Sequence, residues 1–162
     1  MALGGSIQDA IGEMEQGLAT KRATGAEIKV PYYIGLLAEA CRRTNRTTEG
    51  LNQLSEAFDL VERTDERWYE GELHRLKGEM LIATADRRGA EPCFSRALAT
   101  AQKQGAKFFE LRAANSLARL WRDKGKSQQA RELLTPVYGW FTEGFDTRDL
   151  KEAKVLLDAL AN

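Results

Sequence analysis

The sequence predicts an all-α fold, a right-handed superhelical stack of antiparallel helix pairs with a capping helix at its C-terminal end. Apolar residues recur at helical rather than alternating spacing, and the chain holds only three prolines. An apolar stripe and a set of small residues both recur every forty residues, which is the pattern of a repeat protein. The stripe is Leu54, Ala57, Phe58 and Val61, then Phe94, Ala97, Leu98 and Ala101, then Leu134, Val137, Tyr138 and Phe141. The small residues are Gly50, Ala90 and Ala130, and Ala38, Gly78 and Ala118.

The period divides a single domain, residues 1–162, into successive helix pairs. Residues 7–25 match only the second helix of a repeat, so we expect a truncated unit there, a linker at Met1–Gly5 and a longer parent protein. In this first helix the stripe is weaker, with Met14, Gly17 and Leu18 as the candidates for burial. Full repeats are predicted over residues 28–65, 68–105 and 108–143.

Each full repeat is predicted to hold two helices. The first helices span residues 31–44, 70–83 and 108–123, and the second span residues 48–63, 89–103 and 128–140. Gly25 and Gly105 stand where a left-handed residue ends a helix. Pro92 lies near the start of its helix, whereas Pro136 lies inside another and is expected to kink it.

The capping helix is predicted over residues 146–161. Asp146 and Thr147 are candidates for its N-cap. Its apolar residues share one face, which would pack on the last repeat: Leu150, Ala153, Leu156, Leu157 and Leu160.

Composition and charge exclude several classes of function. The chain has 24 Lys and Arg against 24 Asp and Glu, whereas binding to nucleic acid through its phosphates needs a surplus of basic residues. No stretch has the length and apolarity of a membrane span, and the first residues lack a secretory leader pattern. We therefore expect a cytoplasmic protein that contacts neither nucleic acid nor membrane. Cys41, Cys93 and the single histidine are too few for a zinc cage or a disulfide framework, so neither metal nor cofactor is expected.

The sequence holds no set of residues typical of an enzyme. The phosphate-binding loop, the dinucleotide fingerprint and the zinc-protease motif are all missing. His74 could act as a general base with Glu70 one turn earlier, but a lone helical histidine among charges is more often structural. Cys41 falls at a large-residue position and is expected to be buried. We predict that this protein is not an enzyme.

Aromatic residues crowd the C-terminal third of the sequence. They could form a ligand platform or a partner surface, but we favour a role in sealing the last repeat against the capping helix. The residues are Trp121, Tyr138, Trp140, Phe141 and Phe145.

On the spacing W-x2-L-G-x2-Y…A-x3-F, the chain resembles the tetratricopeptide repeat family over nearly its whole length. The matching positions are Ile34, Leu37, Ala38, Cys41, Gly50, Leu54 and Ala57 in the first full repeat, and Ala114, Leu117, Ala118, Trp121, Ala130, Leu134 and Val137 in the third. In the second repeat, the positions that fit are Gly78, Leu81, Ala90, Phe94 and Ala97. His74 and Lys77 stand where that repeat should be apolar, so its packing is expected to come from Leu73, Leu76 and Met80.

Further stretches resemble the C-terminal tail of bacterial proteins that join a class III adenylate/guanylate cyclase domain to an AAA-type ATPase. They are Ala23–Glu27, Glu72–Met80, Ser116–Asp123 and Pro136–Thr147, with Leu150–Leu157 after them. This resemblance implies a helical sensor or scaffold at the end of a cytoplasmic signalling enzyme whose catalytic domains are absent from this sequence.

The tetratricopeptide resemblance assigns positions 2, 5, 9, 12 and 13 of each first helix to a concave surface. Counted in this way, the candidate partner-binding residues are Tyr32, Glu39, Arg42, Arg43, Glu72, Arg75, Glu79, Arg112, Asn115, Arg119 and Arg122. Arginine binds carboxylate or phosphate in a bidentate manner, so candidate ligands are an acidic peptide, the terminal carboxylate of a polypeptide or an anionic metabolite. The alternative is a solvated face on which these arginines pair with neighbouring carboxylates and contribute little.

We therefore expect a non-enzymatic protein–protein interaction module that binds a peptide or a partner domain, including other domains of its own parent protein, on the concave face. One alternative is the sensing of an anionic metabolite within the superhelix, which would regulate the parent enzyme. Another is a structural spacer, or a homodimer formed through exposed terminal helices.

Overall fold

The structure, a computed structural model, describes residues 3–161 of the 162-residue chain, and the side chains of residues 7–161. All regular secondary structure in this range is helical, which confirms the all-α prediction. The helices are α1 (Leu3–Ala23), α2 (Val30–Arg43), α3 (Thr47–Thr64), α4 (Glu70–Ala83), α5 (Arg87–Gln104), α6 (Lys107–Asp123), α7 (Ser127–Gly139) and α8 (Arg148–Leu160).

The helices pack in pairs that are stacked in series. Helix α2 packs on α3, α4 on α5, and α6 on α7, and each pair contacts the next one through α3–α4 and α5–α6. The first helices of successive pairs also contact one another, α2 with α4, α4 with α6, and α6 with α8. Because short turns join contacting helices, the members of a pair run antiparallel and the four helices α2, α4, α6 and α8 run in the same direction. This is the arrangement of the predicted solenoid.

The repeating apolar stripe forms the core. Its members at Leu54, Phe94 and Leu134 are no more than 1% exposed, and of the whole stripe only Phe58, Leu98 and Tyr138 are partly accessible. In the second repeat, Leu73, Leu76 and Met80 are fully buried and Lys77 is exposed, as expected.

The repeating small residues lie where two helices approach most closely. A Cβ atom added at Gly78 would lie 2.5 Å from Cε1 of Phe94 on α5. One added at Gly50 would lie 2.5 Å from Cε of Met80 on α4. These glycines are therefore needed for the helix spacing rather than for backbone flexibility.

The helix ends also follow the sequence. Gly25 and Gly105 both adopt the left-handed conformation, at φ 71° and φ 65°, as predicted. Helix α7 ends at Gly139, three residues after Pro136. The N-terminal residue predicted to cap α8, Thr147, donates its hydroxyl hydrogen bond to the carbonyl of Gly144 instead of capping the helix with its side chain.

The predictions for the first helix need correction. Ile11 and Leu18 are buried, but Met14 is 39% exposed and Gly17 is exposed as well. The reason is that α1 packs on α2 and reaches α3 through the exposed ion pair of Arg22 with Glu56, whereas α3, α5 and α7 are each covered by two helices. Residues 3–5 of the expected linker are helical and belong to α1, while Met1 and Ala2 lie outside the described residues.

The C-terminal aromatic residues seal the last repeat only in part. Phe141 is buried in the core formed by α6, α7 and α8, and Trp121 and Tyr138 pack against that core. Trp140 and Phe145 are exposed, because α7 ends before Trp140 and leaves its ring on the outer side of Phe141.

His74 is a packing residue at the contact of α3 with α4. Its ring lies 4.5 Å from that of Phe58, and its Nε2 lies 3.8 Å from Glu70, which is too far for a hydrogen bond. Burial lowers the pKa of His74 to about 4, and the positive charge of Arg96 acts in the same direction. The imidazole is therefore neutral in the folded protein at pH 7.

We expect Phe94→Ala to destabilise the fold by about 3–5 kcal/mol, because it removes a buried aromatic ring from the middle of the stack. Lys103→Ala, at an exposed position of the same helix, is the control and should change the unfolding free energy by no more than about 0.5 kcal/mol. Urea denaturation followed by circular dichroism measures both. Equal effects would show that the apolar stripe is misassigned.

We also expect His74 to make the fold sensitive to mild acid. Its pKa in the unfolded state is about 6.5, so between pH 6.5 and 4 the unfolded state binds a proton that the folded state does not. The unfolding free energy therefore falls as the pH falls through this window. His74→Gln should reduce the loss between pH 7 and pH 5 by about 1–2 kcal/mol, measured by urea denaturation. If the variant loses as much stability as the natural protein, His74 does not cause the acid sensitivity.

Candidate functional site

The first helices of the repeats, together with α8, line a groove of about 410 Å³, which we call the concave groove. Its lining is almost entirely charged or polar. The residues are Glu39, Arg42, Arg43, Arg75, Glu79, Arg112, Asn115, Ser116, Arg119, Arg148, Asp149 and Glu152.

A buried ion pair lies at the floor of the concave groove, with Arg75 in the lining and Glu72 beneath it. Arg75 donates two hydrogen bonds to Glu72, at 3.0 and 2.7 Å, and their side chains are only 8% and 1% exposed. Burial opposes the charge of Arg75, but Glu72 and Glu79 outweigh it and raise the pKa of the guanidinium. Because removing one member of such a pair would leave a buried charge without a partner, these two residues support the groove structurally.

Two rows of charges cross the groove from helix to helix. Arg112 on α6 contacts Glu72 on α4 at 2.6 Å and Asp149 on α8 at 3.7 Å. Two turns further along α6, Arg119 contacts Glu79 at 3.0 Å and Glu152 at 3.5 Å. Each arginine therefore bridges three neighbouring helices.

At the other end of the groove, Glu39 is held by two arginines on its own helix. Arg42 donates two hydrogen bonds of 2.9 Å to the carboxylate, and Arg43 donates one of 3.1 Å. Burial opposes ionisation of Glu39, but the two guanidinium groups more than compensate and hold its pKa at about 2. Both arginines keep part of their side chains open to solvent.

Asn115 contributes an acceptor that lacks a donor. Its amide nitrogen donates to the backbone carbonyl of Asp149 at 3.1 Å, which ties α6 to the start of α8. Its Oδ1 is buried and has no hydrogen-bond partner among the residues that the structure describes. Such an atom costs stability unless a nearby group satisfies it.

The arrangement favours the binding of anions. Six arginines line the groove against four carboxylates, and five of these arginines reach solvent. Guanidinium groups on rigid helices present their donors in a fixed geometry, which suits carboxylate or phosphate.

The structure places eight of the eleven sequence-predicted residues on the groove. The other three lie elsewhere. Glu72 is buried beneath the floor, Tyr32 packs on the rings of Trp68 and Tyr69, and the exposed Arg122 pairs with its neighbour Asp123.

Sequence reasoning missed four lining residues: Ser116, Arg148, Asp149 and Glu152. Three of them belong to α8, which the sequence predicts only as a capping helix. The available signal was the period itself, because Glu152 stands forty residues after Arg112.

Two further observations concern the described part of the protein. No group of three or more His, Cys, Asp or Glu side chains between residues 7 and 161 is arranged to hold a metal ion. None of the described helices has both the length and the apolar character needed to cross a membrane.

Comparisons with known proteins identify the fold. No sequence family and no curated protein matches the chain. Among solved structures, the crystal structure of a putative kinesin light chain from Podosopora anserina, with nearly identical TPR-like repeats, has a TM-score of 0.71 at 19% identity, and the match covers 98% of this chain and 79% of that one. A second crystal structure, of a single-substitution form of the same protein, gives a TM-score of 0.72 at 19% identity, over 98% and 78% of the two chains. This likeness shows that the protein folds as a tetratricopeptide-like solenoid.

Proposed function

We propose that the protein is a non-enzymatic interaction module whose concave groove binds an acidic peptide segment or an acidic surface of a partner domain. The observation that carries this proposal is the set of solvent-reaching arginines on rigid, parallel helices: Arg42, Arg43, Arg112, Arg119 and Arg148.

The internal ion pairs of the groove are compatible with ligand binding. Pairs such as Arg148 with Glu152 are exposed, and exposed pairs contribute only about 0–1 kcal/mol to stability. A carboxylate of the ligand can therefore replace a carboxylate of the protein at little cost. The complementary charge would mainly accelerate association and select acidic partners.

The resemblance to the tail of cyclase–ATPase proteins suggests which partner to examine first. If the sequence is the C-terminal region of such a cytoplasmic enzyme, the groove would bind an acidic surface of that enzyme's own catalytic domains. The module would then act as a sensor or scaffold that regulates the parent.

We expect the double variant Arg43→Ala/Arg119→Ala to weaken binding of a fluorescein-labelled hexa-aspartate peptide at least tenfold, or about 1.4 kcal/mol. Fluorescence anisotropy measures the dissociation constant. Binding by the natural protein should also weaken as salt rises from about 50 to about 500 mM, because salt screens exposed charges.

Arg122→Ala is the matched control, since this arginine is equally exposed but lies outside the groove. Its affinity should stay within twofold of the natural protein. The proposal fails if the natural protein shows no saturable binding, or if all three proteins bind equally while their helical signals remain intact.

A second candidate function is the sensing of an anionic metabolite, favoured by the size of the groove. Its volume of about 410 Å³ falls in the range of small-molecule sites. A ligand that binds only the folded state raises the melting temperature. A thermal-shift screen of phosphorylated and carboxylated metabolites should then produce a rise that Arg43→Ala/Arg119→Ala abolishes; no shift for any of them would reject this function.

A further inference from the structure

A second surface lies along the edge of the solenoid, on the turns that precede the first helices and on the first turn of α6. Ile28, Trp68 and Phe108 stand forty residues apart and are 72%, 44% and 50% exposed. Trp140, in the turn after α7, is 57% exposed. We call these four residues the aromatic edge. Large apolar side chains repeated on one side of a protein are typical of an interaction surface.

Contacts between successive turns place these side chains in one row. The backbone N–H of Lys29 donates to both carboxylate oxygens of Glu66, at 3.0 and 2.8 Å. Gln104 donates to the backbone carbonyl of Arg67 at 2.8 Å. Phe108 and Phe141 are joined by a ring contact of 5.3 Å. The four turns therefore lie side by side.

The exposed rings rest on buried rings, which gives them a fixed orientation. Trp68 lies 5.4 Å from Tyr32 and 5.2 Å from the buried Tyr69. Trp140 lies 5.2 Å from the buried Phe141. The inner rings already close the core, so the outer rings keep a free face.

The charges around the aromatic edge favour a basic partner. The four turns carry five carboxylates: Glu27, Asp65, Glu66, Glu143 and Asp146. Their basic residues are Lys29 and Arg67, and Lys107 adds a third basic group at the first residue of α6. Internal pairs occupy charges of both signs, because Arg67 is bound to Asp65, Lys107 to Glu110 and Glu27 to Arg63. The edge therefore keeps an excess of two carboxylates over basic residues.

The protein itself shows that a ring of the edge accepts a cation. The ammonium group of Lys107 lies 5.5 Å from the ring centroid of Trp140, which is the geometry of a cation–π contact. The exposed faces of Trp68 and Phe108 offer the same kind of site beside the acidic turns.

We propose that the aromatic edge binds an extended, proline-containing segment that carries Lys or Arg at about every third residue. A polyproline II segment advances about 9 Å over three residues, and helices packed side by side lie about 8–10 Å apart. A basic side chain at every third position therefore meets one repeat after another. Prolines keep the segment extended and pack on the rings.

The probe is a fluorescein-labelled peptide with four repeats of Pro-Pro-Arg, and the comparison peptide has four repeats of Pro-Pro-Glu. Anisotropy titrations of the full protein should show saturable binding of the first peptide and at least tenfold weaker binding of the second. The triple variant Trp68→Ala/Phe108→Ala/Trp140→Ala should bind the first peptide at least tenfold more weakly than the natural protein.

Two variants serve as controls. Met14→Ala/Val155→Ala removes exposed apolar side chains away from the edge, and Arg119→Ala alters the concave groove; each should change the affinity less than twofold. Ile28→Lys, at the most exposed side chain of the edge, should weaken binding at least threefold and serves as the test if the triple variant does not fold.

The proposal is overturned if the natural protein fails to bind at millimolar peptide, if the Glu peptide binds equally well, or if folded edge variants keep full affinity. Loss of binding in Arg119→Ala but not in the edge variants would assign the peptide to the groove. Light scattering provides the last check. If the natural protein forms a dimer that the edge variants abolish, and if it does not bind the peptide, the edge is an interface between copies and the proposal is overturned.

Discussion

The close contact between helices at the repeating small residues determines the geometry of every surface on this protein. At Gly78 the ring of Phe94 occupies the space of a Cβ atom, and at Gly50 the side chain of Met80 does the same. A larger residue at either glycine would push two helices apart, and because the pairs are stacked in series, the displacement would pass to the next pair. The first helices can place their charged residues side by side only because this spacing is maintained.

The charged rows of the concave groove depend on that spacing. Arg112 and Arg119 each reach carboxylates on both neighbouring helices, α4 and α8, over distances of 2.6 to 3.7 Å. The buried pair of Glu72 with Arg75 holds the inner end of one row in place. A groove organised in this way loses little side-chain entropy when a ligand binds, since its arginines are already ordered by internal partners.

Most of the fold could be predicted from the sequence, because helix packing requires large and small residues at fixed intervals and both sets repeat every forty residues. The exposure of Met14 could not, since it depends on which helices cover α1 rather than on the residue itself. The residues predicted on the first helices make up most of the groove lining. The missing part belongs to α8, for which the sequence predicts only an apolar face that packs on the last repeat. Asp149 and Glu152 contact arginines on α6. Tyr32 was predicted on the concave surface from its position in the first helix. Its ring instead packs on Trp68 and Tyr69, which the position alone could not reveal.

The direction of the first helices supports the two proposed binding preferences. Acidic residues lie in the first turns, such as Glu70 and Glu72 of α4, Glu110 of α6 and Asp149 of α8, where the helix dipole stabilises negative charge. Arginines lie in the last turns of two of these helices, Arg42 and Arg43 in α2 and Arg122 in α6, where the dipole stabilises positive charge. The carboxylates at the helix starts are consistent with the proposed basic segment at the edge, and Arg42 and Arg43 with the proposed acidic ligand of the groove.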